Sequence, residues 1–457
     1  MSILAFVRVP IPALQSFTFV RWLAATRAIG AALLTIGLSN WAAAQTTTTS
    51  NPLTLESALS KAEARSHALD AQDSAAKSAR EMAIAAGRLP DPILRLSVDS
   101  LPIDGPMRLS LTDDFMTMRS VGLTQTLTRE DKRRARSARF EREGDVARSM
   151  RTVQLIELRR QTALAWFDLY YQQKMVDLLT RQRDETALQI QAAKAAYRSG
   201  RGAQADVFMA QSAVARMDDR IQEARSRAVN ARTSLARWVG EVVSAPLGIA
   251  PTITRSRLSE RTLKDQLDQH PEIALLTSKE SVALAEVEVA RQDKSADWSV
   301  SLMYSRRGSA FSDMVSVGVS IPLQWDQKNR QIRELTAKLE KVEQTRAERA
   351  EVARALLAQT RRRLATWQTN LIRLDQYDKT LIVFASERTR VALAAYRGGK
   401  APLSGVLDAR WAEIDTRAER LRIEMETAAL WAALEYLIPD LPEPAVSSIT
   451  SVDAVEE

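Results

Sequence analysis

The chain has 457 residues, a formal net charge of +8, 26% charged residues, only 5% aromatic residues and no cysteine. That composition suits long helices better than a compact globule, and the absence of cysteine excludes disulfides and thiolate metal sites. Nucleic acid is not an expected partner, because basic residues alternate with acidic ones along helical faces and do not form one block.

Residues 1–44 have the pattern of an export signal. Three arginines precede the apolar run 28–38, and the small residues 42–44 supply an A-x-A cleavage site. The alternative is an N-terminal membrane anchor, but the run is short for a bilayer span. A flexible leader is predicted at 45–52. Beyond it no stretch approaches twenty apolar residues, so a part of the chain that crosses a membrane would have to consist of strands.

The first structural repeat is predicted at 53–240. Its strand segments alternate apolar and polar residues, which is the period of a strand with two different faces. The window after Pro106 lacks proline as far as Pro246, which permits a helix of about 105 Å at 1.5 Å per residue. In chain order we predict a helix to about 88, strands at about 92–99 and 116–127, a long helix to about 198 and a return helix to 239.

The second structural repeat, at 258–438, follows a linker at 241–257 and precedes a C-terminal tail at 439–457. Apolar residues in its long helix step by threes and fours, which is the narrow seam of coiled-coil packing. In chain order we predict a helix at about 258–293, strands at about 297–305 and 314–321, a long helix ending near Gly398 and a return helix to about 437.

Short matching motifs indicate that the two repeats are an internal duplication. Gly122 and Gly318, in similar strand sequences, lie 196 residues apart. Two Tyr-Arg-x-Gly breaks follow the long helices, and their tyrosines are 199 residues apart. The two histidines, His67 and His270, are 203 apart. Because a duplicated unit repeats the same elements, we expect the two repeats to have the same order of helices and strands.

The second-copy strands predict a sheet embedded in a membrane. Each is about nine residues long, which a tilted strand needs to cross a bilayer, and aromatic residues at their ends suit membrane interfaces. The alternative is a soluble sheet with one wet face. Ser316, Gly318 and Ser320 are expected to line an aqueous lumen. The residues predicted to face lipid are Val300, Leu302, Tyr304, Val315, Val317 and Val319.

Four strands cannot close into a barrel, since known membrane barrels need about eight. An open edge in lipid leaves backbone N–H and C=O groups without partners, at several kcal/mol each. We therefore expect several copies of the chain to share one barrel, with their paired long helices packed side by side beneath it.

The export signal, the duplicated plan and the Tyr-Arg-x-Gly breaks together resemble the outer membrane efflux protein family, the TolC-like channels, over essentially the whole mature chain. The resemblance implies a mainly α protein with a small β part, in which four strands per chain contribute to a trimeric twelve-strand outer-membrane β-barrel continuous with a long periplasmic α-helical barrel. It implies a homotrimer in outer-membrane lipid, a periplasmic adaptor (membrane fusion) protein and an inner-membrane pump of the RND type. Residues 115–125 and the basic run 131–136 resemble the heavy-metal-efflux, CzcC-like branch.

In that family the helix breaks form the periplasmic tip and contact the adaptor. The resemblance assigns this role to Tyr197, Arg198, Gly200, Tyr396, Arg397 and Gly399. Tyr396 matches a latch tyrosine that holds the tip closed, and Asp206 matches its acidic partner.

The gate departs from the family pattern at two places. Ala401 stands where an arginine is usual, with Lys400 beside it, and Gly405 replaces the first of two pore-narrowing aspartates, so that only Asp408 remains. Closure is then expected to involve Lys400 or Arg397 meeting Asp206. The alternative is that both aspartates simply favour the N-terminal ends of helices. The gate candidates are Asp206, Tyr396, Lys400 and Asp408.

No catalytic, cofactor or metal site is predicted, because the chain has no phosphate loop, no histidine cluster and no Ser-His-Asp set. Methionine thioethers suit Cu(I), but apolar filling in lipid or core is the favoured interpretation. The methionines near the strands are Met107, Met116, Met118, Met303 and Met314.

The predicted function is the exit duct of a tripartite efflux system that exports heavy-metal cations, with no enzyme activity. Export of organic drugs and type I secretion are alternatives for the same channel. An alternative of another class is a soluble coiled-coil scaffold.

Overall fold

The structure is a computed structural model that describes residues 52–240, 245–261 and 263–439. The predicted export signal, nearly all of the leader and of the C-terminal tail, and the first part of the linker lie outside the described residues. The first copy of the plan consists of α1 (Leu55–Ala64), α2 (His67–Ala86), β1 (Ile93–Asp99), β2 (Met118–Leu127), α3 (Glu130–Arg198) and α4 (Gln204–Val239).

The second copy has the same order of elements. It consists of α5 (Leu263–Asp268), α6 (Pro271–Gln292), β3 (Trp298–Arg306), β4 (Met314–Ser320), α7 (Gln331–Gln376), a π-helical turn (Tyr377–Leu381), α8 (Ile382–Arg397) and α9 (Leu403–Glu435). The ends of the four strands lie within two residues of the predicted bounds.

The first helix of each copy was predicted as continuous, and this was wrong. Ser66 is extended, with φ −82° and ψ 95°, and separates α1 from α2. His270 is likewise extended, with φ −65° and ψ 133°, because Pro271 follows it and the residue before a proline is driven out of the helical region. The two breaks fall at corresponding places, so they are part of the duplicated plan.

The four strands form one antiparallel sheet in the order β1-β2-β3-β4. The two copies therefore meet in the sheet through the pairing of β2 with β3, which runs from Arg119 opposite Arg306 to Leu127 opposite Trp298. Among the described residues, the outer edges of β1 and β4 have no strand partner. All four strands connect to helices at one end of the sheet, and the two hairpin loops lie at the other end.

The long helix α3 has 69 residues, about 100 Å at 1.5 Å per residue. It packs against α2, α4, α6 and α9. A helix of this length cannot draw its stability from one compact core, and most of its stabilisation comes from the apolar face that it buries against these neighbours.

The largest apolar core surrounds two tryptophans at equivalent places in the two copies. Trp166 in α3 is fully buried, and its indole N–H donates to the carbonyl of Leu53 at 3.0 Å. Trp367 in α7 donates in the same way to Ile253 at 3.1 Å. Each tryptophan thus joins a long helix to the segment that leads into its own repeat. The two tryptophans are 201 residues apart, which is close to the spacing of the other paired motifs.

Candidate functional site

One face of the sheet is apolar and exposed. The register brings Val300 opposite Val319, Leu302 opposite Val317 and Tyr304 opposite Val315, so the six residues predicted to face lipid share this face. The valines of β4 are the most exposed of the six, up to 73% at Val317. The first copy extends the same face with Leu94, Leu96, Val98, Val121 and Leu123.

The opposite face carries small and polar side chains. Ser120 and Ser305 share a hydrogen bond of 2.8 Å between their hydroxyls, and Ser120 also donates to Asp99 at 3.1 Å. Three of the five methionines lie on this polar face, with Met303 directly opposite Gly122. Met118, Met303 and Met314 therefore do not lie on the apolar face that is predicted to meet lipid.

A buried ion cluster joins the sheet to the helices. The Lys132 ammonium, at the start of α3, lies 2.9 Å from the Asp293 carboxylate and 3.1 Å from that of Asp297. Only 10% of the lysine side chain is exposed, and Arg136 is 3.5 Å from Asp293. Two members of the basic run at 131–136, Lys132 and Arg136, thus bind carboxylates of the other copy.

The two helix breaks form turns with the same geometry. Gly200 has φ +72° and Gly399 has φ +71°, a left-handed conformation that favours glycine. The backbone N–H of Gly200 donates to the backbone carbonyl of Tyr197 at 3.0 Å, and that of Gly399 donates to the backbone carbonyl of Tyr396 at 3.0 Å. The predicted tip residues therefore occupy matching positions at the ends of α3 and α8.

The two tyrosines of these turns differ in their surroundings. Tyr197 is 49% exposed, whereas Tyr396 packs against the apolar cluster formed by α3, α4 and α9. Burial and the nearby Asp206 carboxylate raise the pKa of Tyr396. The Tyr396 hydroxyl is buried and has no hydrogen-bond partner among the described residues. Two gate candidates, Tyr396 and Asp206, thus lie near one another, and no hydrogen bond joins them among the described residues.

The other gate candidates are not brought together within one chain. Asp206 accepts a hydrogen bond from the backbone N–H of Ala203 at 3.2 Å, which is a helix-capping contact. Asp408 is exposed and lines a groove between α4 and α9 with Phe208 and Trp411. No contact joins Lys400 or Arg397 to Asp206 within the described ranges, so that pairing stays a prediction.

In the part of the chain that the structure describes, no three His, Asp or Glu side chains cluster as metal ligands. The helices described there include none with the length and apolar character of a membrane span.

Solved structures with a similar architecture include several outer-membrane channels. The outer-membrane channel OprN superposes with a TM-score of 0.70 at 17% identity, covering 84% of this chain and 89% of OprN. The outer membrane protein VceC of Vibrio cholerae gives 0.69 at 16% identity, covering 84% and 95%. CusC, solved in a study of transmembrane channel formation, gives 0.67 at 15% identity, covering 83% and 91%.

This chain therefore has the fold of the TolC-like outer-membrane channels, and the predicted mainly α chain with a small four-stranded sheet is confirmed. No known family model and no curated protein sequence matches it. The likeness is one of fold.

Proposed function

We propose that the chain is the outer-membrane exit duct of a tripartite efflux system, and that three copies form the duct. The main observation behind this proposal is that the sheet has an exposed apolar face on one side and small polar groups on the other. An apolar outer face with a polar inner face is the pattern of a membrane barrel around a watery lumen. OprN and VceC, whose fold the chain shares, are described as an outer-membrane channel and an outer membrane protein.

The open edges of the sheet support the trimer. Strands β1 and β4 are equal in length, at seven residues each, and they run antiparallel to one another across the sheet. Strand β4 of one copy can therefore continue the antiparallel pattern with β1 of the next copy. Three copies would close twelve strands and leave no unpaired edge in lipid.

Engineered cysteines test this closure, and the chain supplies a background without any native cysteine. We expect Leu94→Cys combined in turn with Val315→Cys, Val317→Cys or Val319→Cys to give covalent dimers and trimers on oxidation. Three β4 positions are needed because closing a barrel shifts the strand register. Each single-cysteine variant is the control for background cross-linking. Only monomers in all three combinations would contradict the proposal.

We propose that the turns at Tyr197–Gly200 and Tyr396–Gly399 form the periplasmic tip, with Tyr396 and Asp206 in a latch. The unpartnered hydroxyl of Tyr396 supports this role, because a buried donor without a partner is unfavourable and a neighbouring copy could satisfy it. Lys400 and Asp408 are the remaining gate residues of the proposal.

Conductance in planar bilayers tests the latch. Tyr396→Phe should raise the open probability of the channel, because it removes the hydroxyl that closes the tip. Tyr197→Phe is the matched control, since its side chain occupies the equivalent turn but is exposed. Equal behaviour of the two variants would contradict a latch at Tyr396.

We propose that a periplasmic adaptor binds the tip and that an RND-type inner-membrane pump supplies the energy for export. Arg198 and Arg397 are the cationic side chains at the ends of the two tip helices. Replacing both with glutamate should abolish adaptor capture by the purified trimer. The trimer yield of this variant should be unchanged, and unchanged adaptor capture would argue against this docking surface.

For the cargo we propose heavy-metal cations, supported by the resemblance of residues 115–125 and 131–136 to the heavy-metal branch. Loss of the channel should then sensitise the producing cells to divalent transition metals but not to organic dyes or detergents. Sensitivity to the organic compounds alone would assign the duct to drug export. Loss of a secreted protein without either sensitivity would assign it to secretion.

A further inference from the structure

Two arginines lie directly opposite one another on the apolar face of the sheet. Arg119 in β2 pairs across the strands with Arg306 in β3. They lie next to Val121 and Tyr304 on the same face, at the end of the sheet that carries the hairpin loops. Like charges at directly opposed positions are unfavourable in a sheet, so this pair calls for a negative partner.

The contacts within the chain leave this positive charge only partly balanced. Among the described residues, Asp313 alone forms an ion pair here, with 4.0 Å between its carboxylate and the Nε of Arg306. Asp313 also accepts a hydrogen bond from the Tyr304 hydroxyl. Arg119 donates one terminal N–H to the carbonyl of Arg307 at 3.3 Å. The Nε atoms of Arg119 and Arg307 are buried and have no hydrogen-bond partner in the described part of the chain.

A shallow, open cavity of about 410 Å³ lies beside the two arginines, lined mainly by apolar side chains of this face and also by Ser97 and Ser120. Both arginines line it, and a guanidinium group matches the oxygens of a phosphate with two parallel hydrogen bonds. Towards the helices the cavity continues onto the exposed apolar face. Its lining includes Leu96, Val98, Arg119, Val121, Tyr304 and Arg306.

We propose that this cavity binds the phosphorylated headgroup of a lipid in the surrounding membrane leaflet, with the phosphate between Arg119 and Arg306. The acyl chains would lie along Leu96 and Val121. A lipid fits better than free phosphate, because the cavity offers an apolar wall beside its cationic end and an amphiphile matches both. The inference rests on the proposed function, which places this face in the membrane.

Lipid A, a phosphorylated acyl glycolipid, serves as the probe. We expect it to raise the temperature at which the detergent-solubilised trimer dissociates. In Arg119→Gln/Arg306→Gln the half-saturating lipid concentration should rise at least about tenfold, since a hydrogen bond to a charged group accounts for about that factor. Arg95→Gln is the matched control, because Arg95 is an exposed arginine on the opposite face of β1. Its response should equal that of the unmodified protein.

Two further arms identify the ligand. Lipid A stripped of its phosphates should give a much smaller stabilisation, and inorganic phosphate should give none at concentrations that match the lipid. Equal stabilisation by inorganic phosphate would overturn the lipid assignment, and an equal lipid response in the double variant would overturn the site.

The trimer yield without lipid separates this inference from the proposed function. If the unmodified protein forms no trimer, the channel proposal itself fails. If the double variant yields too little trimer to measure, the two single variants are titrated instead, and an unchanged half-saturating concentration in both would overturn the site. A normal trimer without a phosphate-dependent response overturns only the lipid site.

Discussion

Single side chains fix the packing of each repeat at corresponding positions. The Trp166 indole reaches the backbone of Leu53, and the Trp367 indole reaches Ile253. A buried indole N–H needs a hydrogen-bond partner, so each contact fixes both the rotamer of the tryptophan and the path of the segment beside it. The same device in both copies indicates that the repeats share their packing as well as their order of elements.

Trp166→Phe should destabilise the helical part of the protein by about 1–3 kcal/mol, because the Leu53 carbonyl loses its donor while the core loses volume. Chemical denaturation followed by circular dichroism measures the change. Trp325→Phe is the matched control, since Trp325 is 87% exposed and its replacement should change stability by less than about 0.5 kcal/mol. Equal effects of the two replacements would show that the buried indole contact is not important.

His270 should make the protein less stable in mild acid. Its ring Nδ1 accepts the N–H of Glu272 at 3.1 Å, and burial lowers the pKa of His270 to about 4. The unfolded chain takes up the proton near pH 6.5, whereas the folded chain does so only near pH 4. Stability is therefore complete above pH 6.5 and falls as the pH drops towards 4, by at most about 3 kcal/mol.

His270→Asn keeps a side-chain acceptor at the helix start but does not titrate. We expect this variant to lose most of the difference in unfolding free energy between pH 7 and pH 4.5. An undiminished difference would assign the acid sensitivity to other groups.

At the scale of the elements, alternation and helix breakers carried most of the predictable information. The alternating residues of β3 and β4 placed the strands to within one or two residues, because apolar and polar residues that alternate over this length are typical of a strand and not of a helix. Ser199–Gly202 and Gly398–Gly399 predicted the ends of the long helices, because glycine readily takes the left-handed conformation found there.

Two features of the elements depended on contacts that no local pattern records. The π-helical turn at Tyr377–Leu381 interrupts only the second long helix, and its Asp378 binds the guanidinium of Arg420 in α9 at 2.9 and 3.0 Å. Lys132 likewise meets Asp293 and Asp297 from the other repeat. Both arrangements join residues far apart in sequence, so they became visible only in the folded chain.

The two faces of β4 should respond differently to a charge. Val317→Arg should weaken trimer assembly by about 2–4 kcal/mol if this position lies near the middle of the bilayer. Ser316→Arg, one residue earlier and on the polar face, is the control and should leave assembly nearly unchanged. Heat-induced dissociation of the trimer on gels compares the two variants. Tolerance of both would favour the soluble scaffold.

At the scale of the whole molecule, one chain carries a sheet that is incomplete in two ways. Its apolar face has no covering layer among the described residues, and both of its edges are unpaired. In water such a surface promotes aggregation, and in lipid its edges are unfavourable. Closure of three sheets into one barrel, as proposed above, would remove both problems at once.

The mass of the purified particle in a membrane mimetic tests this account most directly. Native mass spectrometry or mass photometry should find three copies of the mature chain in one particle, stable upon dilution. A single copy, folded and soluble without detergent, would contradict the shared barrel and the export function that depends on it.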